Sequence, residues 1–251
     1  PVVVKIVAPR LVADDTRRER FVRTMKTVLP LRHPNLVSVL AAGRTASQCW
    51  IAMEYVEGES LTQVVQRMGS GGQLDWRLAL RVGAHLGRAL EYGHGQQVLH
   101  RNVAPMNVLL TGHGRVAKLG DLMLAKALEG DLAVHLTEPG EILGDVDYLA
   151  PERTMPSATV DERSDLFSLG STLYALLTGR PPFAGAHMIE TIKNLRGGVF
   201  ERPKVLQPSL PPQLEHIVLR LLARRPDDRY RSASHLLRDL ERLATAEGVA
   251  L

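Results

Sequence analysis

The stretch from Leu99 to Lys126, LHRNVAPMNVLLTGHGRVAKLGDLMLAK, constrains this chain more than any other. It opens as a polar loop and passes into a short β-rich run, Val108 to Leu110. A Gly-rich turn, Thr111 to Gly114, separates that run from a second one, Arg115 to Leu119. Turn chemistry between two apolar runs predicts a β-hairpin. A hairpin sets the loop before it beside the loop after it. Each loop ends in a side chain able to offer a metal a hard oxygen ligand, Asn107 on the first and Asp121 on the second. The rest of the chain must therefore fold so as to hold two loops in register around one site.

At 251 residues the chain is long enough for a sizeable core, either one large domain or two small lobes. Its 45% hydrophobic and 23% charged residues are ordinary for a globular protein. The formal charge of +4 is mild, and the basic residues scatter, with small clusters at Arg17-Arg18 and Arg224-Arg225. A nucleic-acid partner is therefore not expected. The single cysteine, Cys49, excludes an internal disulfide framework and fits a reducing, cytoplasmic setting. No apolar run is long enough to span a membrane and no signal peptide is visible. The nine histidines show no metal-ligand spacing.

Element signals follow in order along the chain. Residues 2 to 8, VVVKIVA, read as a strand interrupted by Lys5. Asp14 to Leu29 reads as a helix that Asp14 or Asp15 can cap, with Phe21, Met25, Val28 and Leu29 as its apolar stripe. Leu36 to Ala42 and Cys49 to Met53 read as strands, and a short helix is expected from Ser60. Asp75 to Gly93 is a long amphipathic helix with Leu78, Val82, Leu86, Ala89 and Leu90 on one face. Arg163 to Thr178 is a hydrophobic helix ended by Gly179 and the Pro181-Pro182 breaker. Further helices are expected over roughly 186–195, 212–222 and 232–243. His85 and His94 read as structural or solvent histidines.

Taken together these segments resemble the protein kinase family, and most closely the bacterial Ser/Thr kinases with eukaryotic-like domains. His100-Arg101-Asn102 and Asn107 lie on the family's H-R-D-L-x-x-x-N pattern, and Asp121 on D-F-G. Val2 to Lys5 lies on V-A-I-K, Ala150-Pro151-Glu152 on A-P-E, and Asp165 on the buried helix aspartate that braces the catalytic loop. The resemblance implies an α+β, bilobal fold over residues 1–251. A small β-rich lobe would end near residue 54 and lack its first two strands, a hinge would run over 55–58, and a helical lobe would follow. Lys5, Met53, Glu54, Val56 and Leu109 would then line a nucleotide site, with Met53 as gatekeeper, and Asn107 and Asp121 would hold Mg2+. Arg229 would be the buried partner of Glu152. Thr137 would be a phosphorylation target read by Arg101.

The chain departs from the family where chemistry is concentrated. Asn102 stands at the catalytic aspartate, and an amide cannot accept the substrate hydroxyl's proton. General-base loss costs ~10²–10⁴ in rate, or about 3–5 kcal/mol of barrier. Ala104 replaces the loop lysine. Thr24 occupies the helix position whose glutamate would pair with Lys5. Leu122 and Met123 replace Phe and Gly of D-F-G. Asp145 stands where a threonine would bond the catalytic aspartate, and is a candidate substitute base. Only four residues precede Lys5, too few for the family's Gly-rich loop and for a strand neighbour there; the expectation is a fragment of a longer protein, the alternative a protein that dispenses with its phosphate cover.

The expectation is a pseudokinase, a regulatory or binding module that retains weak ATP and Mg2+ binding or none. The alternative is an active atypical Ser/Thr kinase, and a small-molecule phosphotransferase is a third class. The partner or substrate is expected to be a protein, with no nucleic acid and no membrane span in this chain; the oligomeric state stays open.

Overall fold

A computed structural model describes residues 1–45, 47–67, 74–112, 116–122, 146–155 and 159–251. Its first part is a sheet with one helix. Strands β1 (Val2–Ile6), β2 (Val39–Arg44) and β3 (Cys49–Glu54) form an antiparallel sheet in the order β1-β3-β2. In the β1–β3 register Val3 faces Met53 and Lys5 faces Ile51. Alternation places these four side chains on one face of the sheet. Cys49, Ile51 and Met53 on that face are buried. Helix α1 (Asp15–Val28) supplies the cover, with Phe21, Met25 and Val28 buried at i, i+4 and i+7. It starts where Asp14 accepts the Arg17 N–H at 2.8 Å, an N-cap worth about 0.5–2 kcal/mol. Among the described residues strand β1 pairs on one side only, and all five of its residues are exposed.

A second antiparallel sheet has the order β4 (Gly58–Ser60), β5 (Val108–Thr111) and β6 (Val116–Leu119). The β5–β6 pair is the expected hairpin. Two expectations shift here. The strand expected from Leu36 begins instead at Val39, because Leu36 forms a parallel bridge to Leu119 and the Val37 N–H donates to the Leu119 carbonyl at 2.9 Å. That segment therefore ties the first sheet's connection to β6. The helix expected at Ser60 starts at Leu61 as α2 (Leu61–Arg67), since Gly58–Ser60 pairs with β5. The approach is so close that a Cβ on Gly58 would lie 2.0 Å from the Leu110 carbonyl oxygen.

The remainder is helical: α3 (Trp76–Gly95), α4 (Glu162–Thr178), α5 (Met188–Gly197), α6 (Pro203–Leu206), α7 (Pro212–Leu221) and α8 (Ala233–Ala246). Helix α4 is the centre. Every residue from Ser164 to Thr178 is buried, so it is enclosed all round rather than amphipathic. Asp161 caps its start by accepting the Arg163 N–H at 2.9 Å. Gly179 ends it in the left-handed region at φ 78°, where glycine carries no Cβ penalty. Gly170 lets α7 approach, since a Cβ there would meet the Leu221 Cβ at 2.6 Å. The result is a small sheet-and-helix part and a large helical part, with β6 and the residues after it lying where they join.

Candidate active site

The loop before β5 is hung from α4. Asp165 is 2% exposed, and its Oδ1 accepts the Arg101 N–H at 2.7 Å. Its Oδ2 accepts the His100 N–H at 2.8 Å and His94 Nε2 at 2.9 Å. Burial alone would raise this carboxyl's pKa; the bonds from His94 and the Arg101 backbone, with the nearby His100, more than offset it and hold it below the usual range. The brace fixes Arg101 at φ 68°, a left-handed conformation that a non-glycine residue holds only when its surroundings over-determine it.

His100 joins the two loops. Its Nδ1 accepts the Asn102 N–H at 3.2 Å, and its Nε2 lies 2.9 Å from the Gly120 carbonyl. An accepting Nδ1 makes Nε2 the protonated nitrogen of a neutral ring. Burial pushes its pKa down, in keeping with that state. Asn107 completes the junction: its Nδ2 donates to the Asn102 carbonyl at 2.8 Å, and its own carbonyl accepts the Gly120 N–H at 2.7 Å. Asp121 follows at φ 58°. The hairpin thus brings Asn102, Asn107 and Asp121 together, as the sequence implied.

Lys5 reaches this point from β1. Its Nζ lies 2.6 Å from Asp121 Oδ2, with the lysine side chain 45% exposed and the aspartate 14%. No acid of α1 takes that place. Asp15 pairs with Arg18 and Arg44, and Glu19 with Arg44. Thr24 is half-buried and accepts the Thr27 hydroxyl through its backbone carbonyl at 2.7 Å. Ala104 is 1% exposed, so its position carries neither charge nor access. Leu122 is buried and fills an apolar slot.

Met53 is buried beside Val3 on the sheet face that carries Lys5. Val56 and Leu109 are partly buried against the core, and the Val56 backbone makes no hydrogen bond among the described residues. Glu54 turns its side chain elsewhere: Oε1 accepts the Ser38 N–H at 2.9 Å and Lys118 Nζ at 2.8 Å. Burial raises its pKa, but Lys118 and Ser38 outweigh that and hold it low. A groove of about 650 Å³ between β4 and α2, lined by Glu57, Glu59, Arg67 and Leu110 among others, includes none of the predicted nucleotide residues.

Glu152 and Arg229 are paired as expected. The guanidinium donates through Nη1 and Nη2 to the two carboxylate oxygens at 2.7 and 2.9 Å, and Ser164 Oγ donates to Oε1 at 2.5 Å. Burial raises the Glu152 pKa, but the Arg229 and Ser164 bonds outweigh it and hold it low. Met123, Thr137 and Asp145 lie outside the described residues. Sequence reasoning missed the Lys118–Glu54 pair and the His94–Asp165 bond. Lys118 had a signal, being the one charge in the run Val116 to Leu119. His94 had none, because its partner lies across the fold.

Comparison with known proteins agrees with this geometry. Residues 1–239 match the protein kinase domain family. A curated relative, "Probable serine/threonine-protein kinase" of Streptomyces coelicolor, is 35% identical over 244 residues, covering 96% of this chain and 35% of that protein. Serine/threonine-protein kinase PknB of Mycolicibacterium smegmatis is 33% identical over 247 residues, covering 96% of this chain and 38% of that protein. The crystal structure of the Mycobacterium tuberculosis PknI kinase domain superposes with a TM-score of 0.74 at 29% identity, over 97% of this chain and 85% of that one. The fold and its braced loops are thus those of a bilobal α+β kinase domain. The chain belongs to the protein kinase family and is similar to bacterial Ser/Thr kinases. It spans little more than a third of the length of these curated relatives.

Proposed function

We propose that this chain is a kinase-fold regulatory or binding module impaired in phosphoryl transfer. The observation that carries the reading is Asn102, a neutral amide at the general-base position of an otherwise braced loop. Ala104 and Thr24 support it. Phosphoryl transfer depends on positioning and charge neutralisation, and each of these residues removes one charged participant. In this reading residues 1–54 are the small lobe, 55–58 the hinge and 59–251 the helical lobe, and the module acts on a protein partner in the cytoplasm.

The residues fit weak nucleotide binding. Lys5 would neutralise phosphates, while Met53, Glu54, Val56 and Leu109 would border the base. The unpaired Val56 backbone groups could meet a purine edge. Asn107 and Asp121 offer Mg2+ hard oxygen ligands. The Asn107 amide donates through Nδ2 to Asn102, which leaves Oδ1 for a cation. Asp121, by contrast, already holds Lys5 at 2.6 Å, so a metal must compete with an ammonium for that carboxylate. When bound, ATP would supply the transferable phosphoryl group and Mg2+ would neutralise its charge.

The decisive experiment is phosphate transfer by purified full-length protein with Mg2+ and ATP. The expected outcome is transfer at or near background. Robust transfer that disappears in Lys5→Ala would overturn the proposal. The second reading, an active atypical kinase, is favoured by the intact Asp165 brace and assigns Asp145 as the substitute base. Asp145→Asn would then abolish transfer, and unchanged transfer would remove that reading.

A further inference from the structure

We infer that the outer face of α1 is a docking site for an acidic segment of a partner protein. The inference rests on the reading of this chain as a binding module and names the chemistry of its partner. Arg20, Arg23 and Lys26 recur every three residues along α1 and line a groove of about 570 Å³ together with Glu19, Val22 and Arg44. At 100° per residue these cations lie opposite Phe21, Met25 and Val28, which face the core. Arg23 and Lys26 are exposed and Arg20 is half-buried.

Charge decides the occupant. Among the described residues that line the groove Glu19 is the one acid, and it is taken by Arg44 at 3.2 Å. The acids at the helix start are taken too, Asp14 by Arg17 and Asp15 by Arg18. Arg20, Arg23 and Lys26 have no ion-pair partner among the described residues. Arg20 Nε is buried without a hydrogen-bond partner among them, an unmet donor of the kind that is costly to leave unmade. The groove therefore presents uncompensated positive charge, with the half-buried Val22 beside it.

Spacing narrows the chemistry. A rise of 1.5 Å per residue spreads the cations about 9 Å along the axis. They form a row rather than a cluster converging on one point. A row matches carboxylates spaced along a peptide better than a single phosphate, and a groove between α1 and β2 suits a chain segment better than a flat lipid surface.

The test is fluorescence anisotropy of a labelled oligoglutamate peptide titrated with the full-length protein, without nucleotide, at low and high salt. Binding that weakens with salt is expected, since screening acts on exposed charges. Arg23→Glu with Lys26→Glu should weaken it at least about tenfold, because each reversal turns attraction into repulsion. Arg225→Glu with Arg231→Glu, the same charge change at exposed sites in the other part of the fold, should leave it within about twofold. Circular dichroism of each variant checks that α1 has folded. Equal weakening by both pairs, no binding at low salt, or tighter binding to a singly phosphorylated peptide or to anionic vesicles would overturn the inference. The readout needs no phosphate transfer, so an active enzyme that still bound the peptide here would sink the functional proposal and leave this one standing.

Discussion

The two ends of the candidate site are built to different standards. On the helical side, Asp165 is 2% exposed and receives three donors, and Glu152 and Arg229 form a two-pronged pair sealed against solvent. On the sheet side, Lys5 stands on a strand whose five residues are all exposed, and among the described residues it meets a single carboxylate. Where the partners are buried, removing one strands the other in a low-dielectric interior. Where they are exposed, water takes over most of the lost interaction. In the proposed reading the groups that shape the loop are kept, while those that would move a proton or steady the lysine are replaced, and the contrast between the two ends is what the following experiments test.

The largest expected effect tests the buried side. Arg229→Met should destabilise the protein by about 3–5 kcal/mol, because it leaves Glu152 as an uncompensated buried charge. Urea unfolding measures it, and a loss below about 1 kcal/mol would mean that the pair is far wetter than its burial indicates. The same pair sets a pH dependence. Arg229 and Ser164 hold the folded Glu152 pKa below its ordinary value, which is near 4.3 for a glutamate. Its contribution is therefore fully present above that value and lost as pH falls through the folded pKa. Stability of the wild type should drop on acidification through this window, and Arg229→Met should flatten the drop.

Asn102→Asp comes next and acts on rate. If the missing base is the main defect, transfer should rise by ~10²–10⁴ while the unfolding midpoint barely moves, since the residue is only half-buried. No gain would place the deficit in Ala104 and Thr24 as well, whose effects need not add to that of Asn102.

Asp165→Asn should cost about 1–3 kcal/mol. The amide keeps one acceptor for the His100, Arg101 and His94 donors, and its NH2 group opposes another. The readout specific to the brace is the loop itself, where amide exchange at His100 and Arg101 should quicken more than in α3. Uniform quickening would show that Asp165 supports α4 rather than the loop.

Much of this architecture is legible in the sequence where the cause is local. The Phe21, Met25, Val28 stripe, the Asp75 and Asp161 caps and the Gly179 stop each act within a few residues, and the helices appear within about a turn of where those signals put them. The hairpin is legible for the same reason. What escapes is tertiary. Leu36 leaves its strand for Leu119, and Gly58–Ser60 becomes a strand because it pairs with β5, an approach that Gly58 permits by having no Cβ to meet the Leu110 carbonyl. The site divides the same way. Motif order located Asn102, Asn107 and Asp121, but the destination of Lys5 depended on a contact across 116 positions. The absence of a helix acid at Thr24 was visible. That Asp121 would receive the lysine instead was not.

The smallest effect is the most discriminating. The Lys5 side chain is 45% exposed, so solvent screens its pair with Asp121 and Lys5→Ala should cost less than about 1 kcal/mol. Its consequence for ligand should be larger than its consequence for folding. A nucleotide that binds only the folded state raises stability by RT ln(1 + [L]/Kd), so a thermal shift with ATP reads the pocket directly. In the proposed reading Lys5 neutralises the nucleotide's phosphates and Mg2+ the rest of their charge, so the wild-type shift should depend on Mg2+ and the Lys5→Ala shift should vanish. A shift retained in Lys5→Ala would mean that the metal ligands alone hold the nucleotide. A loss of stability above about 2 kcal/mol would instead put the pair outside the exposed class and close the contrast between the two ends of the site.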